Sequence, residues 1–74
     1  MLKVVIAEDD FLIADMIKDI LAANGYDVCG IARNVADAVS LIQLHKPDLA
    51  VLDVRLPGAD LGLVRRVLRR LRQR

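Results

Sequence analysis

Residues 49–53 have the sequence LAVLD and are followed by VRLPG at residues 54–58. A short apolar run bounded by proline and glycine is typical of a buried β-strand. Open α/β sheets keep their chemistry at the carboxyl ends of their strands, so Asp53 is a candidate functional residue. Aspartate also begins many turns, and Asp53 could do only that. Other acids predicted to lie near Asp53 would favour the functional interpretation.

A second acid-ended strand is predicted near the amino terminus. Residues 4–7 (VVIA) are apolar and are followed directly by Glu8, Asp9 and Asp10. From Phe11 the apolar residues recur at helical spacing, which predicts a helix of about 13 residues, close to the usual length. Asp10 is in position to be its N-cap. The chain therefore opens with a strand, three consecutive acids and an amphipathic helix.

The same alternation continues along the chain. Asn24-Gly25 is a helix stop signal, and residues 26–32 predict a second strand near a sheet edge. Apolar periodicity from Val35 predicts a second helix, which ends before Pro47 because proline disfavours helix in the preceding residue. Residues 61–74 predict a third helix, capped by Asp60.

Alternating strands and helices predict an α/β fold with a parallel sheet and right-handed crossovers. In such a sheet the carboxyl ends of all strands share one edge. If the first and third strands are neighbours, Glu8, Asp9 and Asp53 meet at that edge. Converging carboxylates repel each other unless protons or a cation neutralise them, and a hard oxygen site of this kind suits Mg²⁺.

Composition limits the chain to one small domain. It has 74 residues, of which 55% are hydrophobic and 3% aromatic, as in parallel strands covered by helices. The single cysteine, Cys29, excludes an intramolecular disulfide and is interpreted as a structural strand residue. His45 has no second histidine near it and is interpreted as a capping or surface residue. No signal peptide or membrane span is predicted, so a cytoplasmic location is expected.

Charge is divided unevenly along the chain. Residues 1–60 contain ten acidic and five basic residues, whereas residues 61–74 contain six arginines and no acid. The arginines of residues 61–74 fall on the side of the predicted helix opposite its leucines and valines. The plain interpretation is a helix that packs through its apolar side and leaves its arginines in solvent. Alternatively, the arginines contact the acidic body of a second subunit or an anionic membrane surface. Contact with nucleic acid is the least favoured alternative.

The sequence resembles the receiver domain of two-component response regulators. Four separated motifs occur in the family's order: VIAEDD at residues 5–10, GY at 25–26, KPDL at 46–49 and LDVRLPG at 52–58. The resemblance runs from Leu2 to about Gly58, so residues 1–58 are receiver-like and residues 59–74 form a separate basic amphipathic segment. It implies the flavodoxin-like strand order, 2-1-3 for the three strands predicted here.

The resemblance also implies a function. Asp53 would accept a phosphoryl group from a sensor histidine kinase. Glu8, Asp9 and Asp53 would hold Mg²⁺ together with the backbone carbonyl of Arg55. The resemblance further implies that the chain signals by contacting other proteins, for example a downstream regulator protein. It is not expected to be an enzyme, although it would assist its own phosphorylation. No DNA-binding output domain is recognised in the sequence.

This chain departs from the family pattern in its second half. A full receiver has five strands and five helices, and its later Ser or Thr and Lys have no counterpart in these 74 residues. Leu61 stands where the family usually has glycine, and Gly62 follows it. The third strand is then expected to be an exposed edge, which predicts a homodimer. A phosphorylation-independent receiver that acts by dimerising or by binding a kinase or regulator is the alternative.

Overall fold

The computed structural model describes residues 1–52 of the chain. Within this part the chain forms β1 (Lys3–Ala7), α1 (Phe11–Ala23), β2 (Asp27–Ala32), α2 (Val35–His45) and β3 (Leu49–Leu52). The predicted alternation of strands and helices is therefore confirmed for five elements. The third helix, predicted for residues 61–74, lies outside the described residues.

The three strands form a parallel sheet in the order β2-β1-β3, which confirms the predicted order. β1 lies at the centre of the sheet, where Val4, Val5 and Ile6 have no exposed surface. The start of β3 is tied to β1 at Lys3, whose N–H donates to Asp48 Oδ2 at 2.8 Å. The Asp48 N–H in turn donates to the Lys3 carbonyl at 2.9 Å.

Helix α1 begins and ends as its sequence predicts. The Asp10 side chain accepts hydrogen bonds from the N–H groups of Leu12 and Ile13, at 2.9 and 3.2 Å. These bonds satisfy backbone donors that have no partner inside the helix. The helix ends at Ala23, and Gly25 follows with a positive φ of 85°, a conformation that glycine adopts without a steric penalty.

Helix α2 has an asparagine cap and a left-handed end. The Asn34 side chain accepts a hydrogen bond from the Asp37 N–H at 2.8 Å. At the other end Lys46 adopts a φ of 48°, and its N–H donates to the Ile42 carbonyl at 2.9 Å. The helix thus ends one residue before Lys46 and two before the buried Pro47, as predicted, and His45 lies in its last turn.

The two helices cover opposite faces of the sheet. Val35, Ala38 and Ile42 of α2 are buried, and they pack in clusters that include Val5 and Ala7. Successive strand residues point to opposite faces, so Val4 and Ile6 face α1. We call these the α2 face and the α1 face. The described part of the molecule is therefore a three-layer arrangement of helix, sheet and helix.

Strand β2 has two local irregularities, a glycine under α2 and a skipped residue in its pairing with β1. Gly30 lies under Leu41, and a Cβ atom at Gly30 would come within 3.0 Å of the Leu41 Cδ1 atom. The pairing of β2 with β1 skips one residue between Val28 and Gly30, and Cys29 occupies this irregularity. The Cys29 thiol is half-buried and donates to the Val4 carbonyl at 3.4 Å, in agreement with a structural strand role.

Strand β3 is less buried than its apolar sequence suggests. Ala50 and Leu52 pack on the α2 face, but Leu49 and Val51 are 45% and 37% exposed. Among residues 1–52, β3 pairs with β1 alone. The first interpretation, a strand buried on both faces, is therefore wrong for the described residues. The interpretation of β3 as an edge strand holds for them, because β3 has one paired side and one covered face.

Candidate functional site

The carboxyl ends of the three strands lie side by side. Ala7, the last residue of β1, pairs with Ala32 on one side and with Leu52 on the other. The Glu8 N–H continues the ladder by donating to the Ala32 carbonyl at 3.0 Å. The residues that follow β1 therefore lie between the ends of β2 and β3. This is the edge of the sheet where the sequence predicts the functional carboxylates.

Glu8 is held within this edge rather than at its surface. It is 7% exposed and is the one buried charged residue among residues 1–52. Its Oε1 atom accepts a hydrogen bond from the Asp10 N–H at 3.1 Å. A buried carboxylate is unfavourable unless polar or charged groups compensate for its lost hydration. The position of Glu8 is thus typical of a functional acid and unlike that of a surface side chain.

The three consecutive acids after β1 have different structural roles. Glu8 is buried, Asp9 is exposed, and Asp10 caps α1 with its side chain. Because the Asp10 Oδ1 atom already accepts two backbone hydrogen bonds, this residue stabilises the helix start. Neither Glu8 nor Asp9 caps the helix in this way, and the role of these two acids as metal ligands stays a prediction.

A cleft opens beside Glu8, between the start of α1 and the end of β2. It has a volume of about 240 Å³ and is lined by Glu8, Phe11, Ala14, Asp15, Ile31 and Arg33. The Arg33 Cζ atom lies 5.5 Å from the centre of the Phe11 ring, within the range of a cation–π contact. Sequence reasoning missed Phe11 and Arg33 as site residues, although Arg33 directly follows a predicted strand.

The predicted metal ligands are brought together only in part. Glu8 and Asp9 adjoin each other at the end of β1, and their hard oxygen donors fit Mg²⁺. Asp53 and Arg55 lie outside the described residues, but Leu52, which precedes Asp53 in the chain, pairs with Ala7. Residues 1–52 contain no group of three or more His, Cys, Asp or Glu side chains that could hold a metal ion. The metal-binding roles of Asp53 and Arg55 stay predictions.

Helix α1 carries an exposed apolar stripe beside this edge. Leu12, Met16 and Ile20 follow each other at four-residue spacing and are 80%, 56% and 56% exposed. Phe11 and Asp15 line the cleft toward β2, and Leu12 and Met16 each come one position later, so the stripe lies on an adjacent face of the helix. Contiguous exposed apolar side chains are typical of surfaces that bind other proteins.

Two further predictions concern residues away from the strand ends. His45 is the last residue of α2, which runs from the end of β2 toward the start of β3. It therefore lies at the opposite edge of the sheet from Glu8, as expected of a residue without a role in the site. Neither helix in residues 1–52 is long and apolar enough to cross a membrane.

Comparison with known proteins gives consistent matches. A family model described as the response regulator receiver domain matches residues 4–74. The transcriptional regulatory protein PdtaR of Mycobacterium tuberculosis (strain ATCC 25618 / H37Rv) is 43% identical over 58 residues, which cover 78% of this chain and 28% of PdtaR. The chemotaxis protein CheY of Bacillus subtilis (strain 168) is 40% identical over 58 residues, which cover 78% of this chain and 48% of CheY.

The fold has close counterparts among solved structures. The signal receiver domain of a modulated diguanylate cyclase from Desulfovibrio desulfuricans G20 is similar with a TM-score of 0.84 and 31% identity, covering 93% of this chain and 57% of that chain. The matched part of this chain spans less than half the length of PdtaR and of CheY. The similarity thus concerns the shared domain.

Proposed function

The chain belongs to the response regulator receiver domain family, and from this premise we propose that it accepts a phosphoryl group on Asp53 from a sensor histidine kinase. One observation carries the proposal. Glu8 and Asp9 follow the central strand at the edge where β3 ends, and Asp53 comes directly after β3 in sequence. Two strands that pair side by side are thus each followed by acids.

The proposed metal is Mg²⁺. Its ligands would be the carboxylates of Glu8, Asp9 and Asp53 and the backbone carbonyl of Arg55, all of them oxygen donors. When bound, the ion supplies positive charge that offsets the charge developing on the transferring phosphoryl group. Burial and the hydrogen bond from the Asp10 N–H hold the Glu8 carboxylate in one orientation, which reduces the cost of ordering the site.

The proposed reaction is an in-line displacement at phosphorus. An Asp53 carboxylate oxygen forms a bond to the phosphorus atom while the bond from phosphorus to the kinase histidine nitrogen breaks. The electron pair of that bond returns to the imidazole, and the product on Asp53 is an acyl phosphate. Asp53 must be ionised to act as the nucleophile, so the residues around it must accommodate its charge.

The apolar stripe on α1 is the proposed contact surface for the kinase. Leu12 lies in the first turn of the helix, directly after the acids, and Met16 and Ile20 extend the stripe away from them. A partner helix that packs along this stripe would place a phosphorylated side chain near Glu8 and Asp9. The stripe therefore supports a protein donor in addition to small phosphodonors.

Assembly and output are proposed to use protein contacts. Leu49 and Val51 expose apolar side chains on the α1 face of β3, and such a surface favours pairing with a second copy or with a downstream regulator protein. We propose a homodimer through this strand. We also propose that residues 1–58 form the receiver part, that residues 59–74 form a basic helix, and that the protein is cytoplasmic.

Phosphorylation is tested by mass measurement after incubation with acetyl phosphate and Mg²⁺. Wild-type protein should gain the mass of one phosphoryl group, and Asp53→Asn should gain none because an amide cannot form the acyl phosphate. Asp27→Asn is the matched control, since Asp27 is exposed at the start of β2, at the opposite edge of the sheet. Equal labelling of Asp53→Asn and wild type would contradict the assignment of Asp53.

The alternative function is a receiver that acts without phosphorylation, by dimerising or by binding a kinase or regulator. The exposed stripe on α1 and the exposed residues of β3 support it, because both surfaces can bind a partner whatever the state of Asp53. Absence of label on wild type and on both variants, with a cognate kinase as well as with acetyl phosphate, would favour this alternative.

A further inference from the structure

Within residues 1–52, the acidic edge of the sheet contains one positively charged side chain, that of Arg33. Residues 8–10 and 33–34 connect the strand ends to the helices there, and they contain Glu8, Asp9, Asp10 and Arg33. Asp15 also lines the cleft. A phosphoryl donor is an anion, so it is repelled by these carboxylates when it approaches. Among residues 1–52, Arg33 is the residue at this edge whose positive charge opposes the repulsion.

Within residues 1–52, the structure shows no ion pair between Arg33 and an acidic side chain. Its guanidinium lies over the Phe11 ring, with the Cζ atom 5.5 Å from the ring centre. Within residues 1–52, this cation–π contact is the interaction that holds the guanidinium. Phe11 is 69% exposed, and a cation–π contact at an exposed site is weak. The guanidinium is thus kept at the mouth of the cleft with its charge and its donors available to an incoming anion.

We infer that Arg33, held by Phe11, attracts the anionic phosphoryl donor to the acidic edge and opposes the binding of Mg²⁺ there. The inference rests on the proposed function. A single charge acts with opposite signs on the two ligands, because the donor is negative and the metal ion positive. Loss of the Arg33 charge should therefore slow phosphorylation and at the same time tighten metal binding.

The size of both effects follows from Coulomb's law. For a dianion or a dication roughly 10 Å away in water, one charge changes the rate or the affinity by about two- to fourfold at low ionic strength. At about 0.5 M salt the screening length is shorter than that distance, and the effect should largely disappear. A change caused by altered packing would not respond to salt in this way.

The test compares wild type with Arg33→Gln and Arg33→Lys. At low salt, Arg33→Gln should react with acetyl phosphate about two- to fourfold more slowly and should bind Mg²⁺ about two- to fourfold more tightly by calorimetry. Arg33→Lys retains the charge and should keep both values near wild type. Both differences between Arg33→Gln and wild type should close in high salt.

Two further variants separate the local charge from general effects. Lys18→Gln removes one positive charge from an exposed position on α1 that does not line the cleft, and it should change the rate and the affinity less than Arg33→Gln. Phe11→Leu keeps Arg33 but removes the aromatic ring under it. It should give effects of the same sign as Arg33→Gln and smaller size.

The outcomes distinguish this inference from the proposed function. If wild type is phosphorylated and Arg33→Gln reacts at the same rate with the same Mg²⁺ affinity, the inference is wrong and the proposed function stands. A slower rate combined with weaker metal binding in Arg33→Gln also overturns it, because one positive charge cannot attract both the anionic donor and the metal cation. If wild type is not phosphorylated at all, the proposed function fails and the inference fails with it.

Discussion

The two helices that cover the sheet are buried to very different degrees. On α2, Val35, Ala38 and Ile42 are at most 5% exposed. On α1, Ala14 is the one buried residue, and the stripe of Leu12, Met16 and Ile20 remains exposed. Apolar surface removed from water stabilises the fold, whereas apolar surface left in water is available to a partner. Helix α2 is therefore expected to contribute more to stability, and the stripe on α1 is the surface that we propose for binding.

The largest expected effect is on the free energy of unfolding, measured by urea denaturation. Ile42→Ala should lower it by about 2–4 kcal/mol, because a buried side chain leaves a cavity. The matched change on the other helix, Ile20→Ala, should cost less than about 1 kcal/mol, because Ile20 is already 56% exposed. Equal losses in the two variants would contradict this difference between the helices.

The next effect is on phosphoryl transfer from a histidine kinase that phosphorylates wild type. Met16→Gln should slow this transfer about five- to tenfold, because it removes apolar contact area from the centre of the stripe. Its rate with acetyl phosphate should not change, since a small donor needs no docking surface. Leu44→Gln is the control on α2, where Leu44 is 73% exposed. If Leu44→Gln slows the transfer as much as Met16→Gln does, the stripe on α1 is not the specific docking surface for the kinase.

The smallest effect expected is on assembly. Leu49→Lys adds a charge to the exposed face of β3 and should raise the dimer dissociation constant about fivefold, since edge charges oppose strand association. Leu44→Lys adds the same charge to α2 and should leave the constant unchanged. Sedimentation equilibrium measures both. Wild-type protein that remains a monomer at tens of micromolar would remove the proposed homodimer.

Local signals in the sequence were sufficient to predict the elements. Asp10 and Asn34 act as caps, and Gly25 ends the first helix region, because capping and turn chemistry involve residues close together in the chain. The first two helices and three strands follow from apolar periodicity in the same way. Strand order did not come from these signals. It was predicted through the family resemblance.

The site was predicted less completely than the fold. Glu8 and Asp9 were predicted as site residues because they directly follow an apolar strand in the sequence, and the structure places both at the end of the central strand. The contact of Arg33 with Phe11 was missed because 22 positions separate these residues in the sequence and no local pattern connects them. The role of Asp53 remains a prediction.

By itself the sequence determined, to within about one residue, where the described strands and helices begin and end, and it determined that acids follow β1. Those properties depend on backbone groups and side chains within a few positions of each other. Only the tertiary structure decided that Glu8 is buried while Asp9 is exposed, that Arg33 lies over Phe11, and that β3 leaves Leu49 and Val51 uncovered. These properties depend on which distant segments pack together, and burial is a consequence of that packing.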